Sequence, residues 1–68
     1  MTFEVGRCYY DAVGRKWRIV KRTMIDESTV VFIVRHHFKV QIAVEDTPDM
    51  ATVLLDEGFT TIYAEVEE

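Results

Sequence analysis

Apolar and polar side chains alternate at every second position along most of the chain, the pattern of half-buried β-strands and not of helices. Residues 3–10 read as a first strand, rich in aromatic side chains, with Gly6 marking a bulge or bend. Residues 11–15, which include Gly14, turn the chain. In a second strand at 17–24, Trp17 and Ile19 fall on one face, while Arg18, Val20 and Arg22 fall on a mostly solvated face. Asp26, Glu27 and Ser28 make the next turn. Residues 29–35 are apolar on both faces and β-branched at five of seven positions, which predicts a strand in the middle of the sheet.

His36 and His37 either turn the chain or prolong that strand into the next. There Phe38, Val40, Ile42 and Val44 alternate with Lys39, Gln41, Ala43 and Glu45, the clearest strand pattern in the sequence. A loop at 45–49 holds the single proline, and 51–55 leads through Asp56, Glu57 and Gly58 into a last strand at 59–67. In that strand Ile62, Ala64 and Val66 point one way and Thr61, Tyr63, Glu65 and Glu67 the other. Segment 48–56 admits a second reading, because Thr47, Pro48 and Asp49 suit the cap, first position and first-turn acid of a helix that Gly58 would stop. The extended preference of Thr52, Val53, Leu54 and Leu55 favours a strand, with one short helical turn as the alternative.

Five or six short strands in 68 residues leave two exposed edges unless the sheet closes. The expectation is therefore one all-β domain spanning 1–68, an antiparallel meander closing into a small SH3-like or OB-like barrel. Apolar residues make up 49% of the chain, enough for one core. The longest uninterrupted apolar run, 30–34, is far below the roughly 20 residues that cross a bilayer. With no signal-peptide pattern at the N-terminus, a cytoplasmic protein without membrane association is expected. Cys8 is the sole cysteine, which rules out an intramolecular disulfide and fits a reducing compartment.

Phe3, Val5, Gly6, Tyr9, Tyr10, the Trp17 strand, Lys21-Arg22-Thr23 and the run at 39–42 together resemble short proteins encoded by phages and conjugative elements of Gram-positive bacteria. The resemblance covers the first two-thirds of the chain, and the acidic final third departs from it. It implies no established activity and transfers no site residue.

Charge changes the picture most. Residues 1–39 carry eight bases against four acids, whereas residues 40–68 carry eight acids and no base. The net charge of −4 argues against a general nucleic-acid binder. One reading of the asymmetry is cross-strand ion pairing between basic and acidic neighbours. A second is an acidic protein-binding surface, built from Asp46, Asp49, Asp56, Glu57, Tyr63 and Glu65, that faces a basic cleft on a partner. A third is a nucleic-acid-binding hairpin in which Arg15, Lys16, Arg18, Lys21 and Arg22 hold phosphates while a base stacks on Trp17, unless Trp17 plugs the core.

Enzyme readings find no constellation to rest on. Adjacent histidines in an extended strand point to opposite faces, so His36 and His37 do not form a chelating pair. No serine or cysteine is placed by a recognisable motif beside a base, the carboxylate pairs Asp26-Glu27, Glu45-Asp46 and Asp56-Glu57 sit at turns, and the three glycines make no phosphate-cradling loop. No cofactor is implied. Apolar side chains on both faces of 29–35 exceed what one core needs, so the outer set either meets another subunit, giving a homodimer, or is covered by the terminal strands. The expected function is a non-enzymatic interaction module that binds a host or element protein through its acidic or apolar surface, with nucleic-acid binding by the Trp17 hairpin as the alternative.

Overall fold

The computed structural model describes residues 2–64. These form β1 (Cys8–Asp11), β2 (Lys16–Met24), β3 (Val30–His36), β4 (Lys39–Thr47), β5 (Met50–Leu55) and β6 (Gly58–Tyr63). Each strand pairs antiparallel with the next, and β6 returns to β1 through Tyr10 opposite Tyr63 and Asp11 opposite Ile62. The meander thus closes into a small all-β barrel, which removes the free edges that an open sheet of this size would expose.

Closure follows from short connections. His36 pairs with Lys39, Thr47 with Met50 and Leu55 with Gly58, so three successive hairpins turn on two residues each. Such turns permit only antiparallel neighbours and lock the register of the strands they join. Two bulges bend the sheet around, one between Ile19 and Lys21 in β2 and one between Glu45 and Thr47 in β4.

Trp17, Ile19, Phe32, Val34, Ala43, Val53 and Ile62 fill the interior and are essentially inaccessible to solvent. Phe3 closes one end, its ring edge-on to Tyr9 at 4.9 Å and tilted against Phe32 at 5.4 Å. The first strand is consequently shorter than the 3–10 expected: residues 5 and 6 form a turn, Gly6 takes φ +92°, and the chain before it folds inward. Gly6 N–H to the Ile19 carbonyl at 2.7 Å and Ile19 N–H to the Arg7 carbonyl at 2.9 Å tie this segment to β2.

Segment 48–56 contains no helix. Pro48 and Asp49 are the two-residue turn between β4 and β5, and the remainder is β5 and the start of the next turn. The capping chemistry of Thr47 is real but serves that turn, since its hydroxyl oxygen accepts the Asp49 N–H at 3.2 Å. β4 also runs through 45–47, which the sequence pattern assigns to a loop, and β6 ends at Tyr63. The rest of the expected last strand, including Glu65, lies outside the described residues.

One strand has the opposite facing from what its alternation suggests. Val40 and Ile42 point outward, 58% and 47% exposed, while Ala43 is fully buried and Gln41 and Glu45 are half-buried. The two-residue turn after β3 sets this phase: it places Gln41 opposite Val34, which is inside, and Ile42 opposite Ile33, which faces out.

Candidate interaction surfaces

Two surfaces stand out on the barrel. The first is the outer face of β3, β4 and β5. Val31 lies opposite Val44 and Ile33 opposite Ile42 across β3 and β4. Continuing the register of the Ala43–Val53 pair sets Ile42 beside Leu54, which in turn lies opposite Phe59 on β6. Cross-strand neighbours on one face touch, so these side chains form a continuous apolar band on the outer face, in which Val31 is itself buried and Ile33 and Val44 are half-buried. Val40, Ile42, Leu54 and Phe59 are exposed within it. Lys21 and Arg35 border the band toward β2, and Asp46 borders it on β4, where its carboxylate accepts the Thr52 hydroxyl at 2.6 Å.

The second surface is a groove of about 490 Å³ at the end of the barrel where the β1–β2 hairpin meets the β3–β4 turn. Arg15, Lys16, Arg18, Arg35, His36 and His37 line it together with Cys8, and no acidic side chain among the described residues does. Behind the groove sits the buried carboxylate of Asp11. One oxygen accepts the backbone N–H groups of Val13 at 3.1 Å and Arg15 at 2.8 Å; the other accepts Arg15 Nε at 2.8 Å and Trp17 Nε1 at 3.0 Å. Burial alone would push this carboxyl up, but hydrogen bonds from the Trp17 indole and from the Arg15 backbone and guanidinium, with the Arg15 charge, hold it below the ordinary value of 3.8. Asp11 therefore stays ionised and fixes Arg15 at the wall.

The sequence-predicted residues divide between these places. Trp17 is in the core, 1% exposed, with its indole N–H spent on Asp11, so it is unavailable for stacking a base. Arg15, Lys16 and Arg18 do gather at the groove, whereas Lys21 and Arg22 lie farther along β2, beyond its bulge. The acids do not form one surface. Asp46 and Asp49 sit at the β4–β5 end, and Asp56 and Glu57 sit in the β5–β6 turn at the other end of β5. Asp56 and Glu57 line a cleft of about 210 Å³ together with Arg15 and Lys39, so cations face them on their own molecule. Tyr63 is half-buried in β6 between Tyr10 and Met50.

The groove also contains residues that the sequence pattern does not single out. Arg35 reaches it because the β2–β3 register sets Arg18 directly opposite. His36 and His37 do not diverge as strand neighbours would: His37 opens the turn with φ +54°, and the two rings pack at 4.3 Å, with the Trp17 ring 5.3 Å beyond His36. His36 Nδ1 lies 3.0 Å from the Lys16 carbonyl oxygen, an acceptor only, so Nδ1 carries a proton. Among the described residues no group of three or more His, Cys, Asp or Glu side chains is placed to hold a metal. No helix among them is long and apolar enough to cross a membrane.

Comparison of the chain with known protein families, curated proteins and solved structures gives no match.

Proposed function

We propose that this barrel is a non-enzymatic interaction module, an accessory protein of a phage or other mobile element, which binds a protein partner through the outer apolar face of β3, β4 and β5. The observation that supports the reading is the outward facing of β4. Its alternating apolar residues are the set a core would ordinarily claim, yet Val40 and Ile42 lie in solvent and continue into Leu54 and Phe59 on the adjoining strands. An exposed apolar band with a polar rim is the composition of a binding surface. Covering the exposed part of each of these side chains, about half of its area or more, is worth about 1 kcal/mol. The acids contribute at the rim, with Asp46 beside Thr52, and not as a separate nucleic-acid-like surface.

Two substitutions test the reading without touching the core. Ile42→Glu and Leu54→Glu place a charge in the band at positions already open to water, so the melting temperature is expected to hold. A partner retained by the wild-type protein and lost with both variants is the expected result. Equal retention by wild type and variants, or no retained partner, counts against it. Sedimentation at two protein concentrations shows whether the partner is a second copy of this chain.

A further inference from the structure

The cationic groove carries three local costs that the barrel itself does not require. Arg18 and Arg35 lie directly opposite each other across β2 and β3, a like-charge pairing that destabilises a sheet. His37 occupies the first position of a two-residue hairpin turn at φ +54°, where such turns ordinarily take glycine. At this turn the chain also leaves Phe38, next in sequence to the groove residue His37, fully exposed at 101% of its reference area. Local rules broken together at one place, on a rigid scaffold, mark a site that binding has shaped.

The chemistry of that site is specific. Arg15 and Arg18 are held in place, Arg15 by the Asp11 carboxylate and Arg18 through its guanidinium N–H to the Gly6 carbonyl at 2.9 Å. Both guanidinium groups retain further donors, and Lys16 and Arg35 add two more cations, so the groove itself is cationic although the chain as a whole carries −4. An anion bridging Arg18 and Arg35 would turn their repulsion into attraction. A run of phosphates in the groove with a base against an aromatic ring beside it is how single strands are held without sequence readout.

We infer that the groove lined by Arg15, Lys16, Arg18, Arg35, His36 and His37 binds the phosphate backbone of a single-stranded nucleic acid, with a base stacked on Phe38. The site adjoins the apolar band at Arg35, which lies opposite Val40, but uses none of the band's apolar side chains. It also replaces Trp17 with Phe38 as the stacking aromatic, because only the latter is open to a ligand.

Fluorescence anisotropy with a labelled oligothymidylate of about 12 nucleotides, across a salt series, tests the inference. Wild-type protein is expected to bind at low salt and to weaken steeply as salt rises. Arg35→Glu places an opposite charge across from Arg18, so it should keep or raise the melting temperature while weakening binding about tenfold or more and flattening the salt dependence. Phe38→Ala should weaken binding about tenfold with no change in melting temperature. His37→Gly relieves the backbone strain and should leave the fold at least as stable while reducing affinity. Ile42→Glu should bind as wild type, which separates this site from the protein-binding face. No binding at low salt, equal affinity in Arg35→Glu, or duplex of the same length bound as tightly and without dependence on Phe38 would each overturn it.

Discussion

The indole N–H of Trp17 donates to Oδ2 of Asp11 at 3.0 Å, joining the largest buried side chain of the barrel to its one buried carboxylate among the described residues. The same carboxylate closes the β1–β2 turn through the N–H groups of Val13 and Arg15 and anchors the Arg15 guanidinium. Removing it strands several donors at once. Asp11→Ala is expected to cost about 3 kcal/mol, in the range seen when one partner of a buried charged pair is deleted. Asp11→Asn keeps the shape and one accepting oxygen but turns an NH2 toward the other two donors, so it should cost a similar amount. Urea unfolding followed by Trp17 fluorescence measures both, and an Asp11→Ala protein as stable as wild type would refute the anchoring role.

Acid should loosen the same hairpin. The carboxyl of Asp11 is held below its ordinary value of 3.8, so the native state binds its proton less readily than the unfolded chain does. For a depressed carboxylate the stabilising contribution is complete above the unfolded value and is lost as pH falls through the lower folded value. Stability from this group is therefore expected to be constant at neutral pH and to decline only below about pH 4. Asp11→Asn should flatten that decline. The check is the urea midpoint of both proteins at matched pH values; parallel acid profiles would contradict the assignment.

Gly14 lies in the turn of this hairpin with φ +90°, and a Cβ added there would meet nothing within 4 Å. A substitution consequently costs backbone conformation alone and no packing. Gly14→Ala should lower stability by about 1–2 kcal/mol, the penalty for an L-residue in the left-handed region. In a domain this small, that is a fall in melting temperature of about 4–16 °C. A change within the error of calorimetry would show that the turn relaxes to another conformation.

Strand existence was readable because period-two alternation is a local property. Its phase is not local. Val40 and Ile42 alternate with Lys39, Gln41 and Ala43 in a pattern that alone would turn the apolar set inward, and the two-residue turn that pairs His36 with Lys39 reverses it. Thr47-Pro48-Asp49 shows the same limit from another side, since one hydroxyl and one N–H serve a helix cap or a hairpin turn equally well, and the pairing of Thr47 with Met50 decides. At the groove, Arg15, Lys16 and Arg18 were legible as a cluster on one hairpin. Arg35, His36 and His37 were not, because they arrive through the register of β2 on β3 and a positive φ at His37, neither of which has a compositional signature. Trp17 illustrates the reverse case: two roles were open for a tryptophan beside cations, and a carboxylate six residues earlier, at Asp11, places its indole in the interior.

The alternation in β5 can be tested by two neighbouring truncations. Val53 is fully buried against the core and Leu54 is 46% exposed on the opposite face, although leucine is the larger and more apolar side chain. Were size the deciding factor, Leu54→Ala would do more damage. In the barrel the order reverses. Val53→Ala removes two buried methyl groups' worth of contact and leaves a void that rigid β4 and β6 neighbours cannot fill, at a cost of about 2 kcal/mol. Leu54→Ala trims a side chain already half in water and should stay within about 0.5 kcal/mol. Thermal unfolding of the two variants side by side gives the answer directly: a Leu54→Ala loss equal to that of Val53→Ala would mean that the apolar band is covered within the molecule, and the binding face built on it would fall with it.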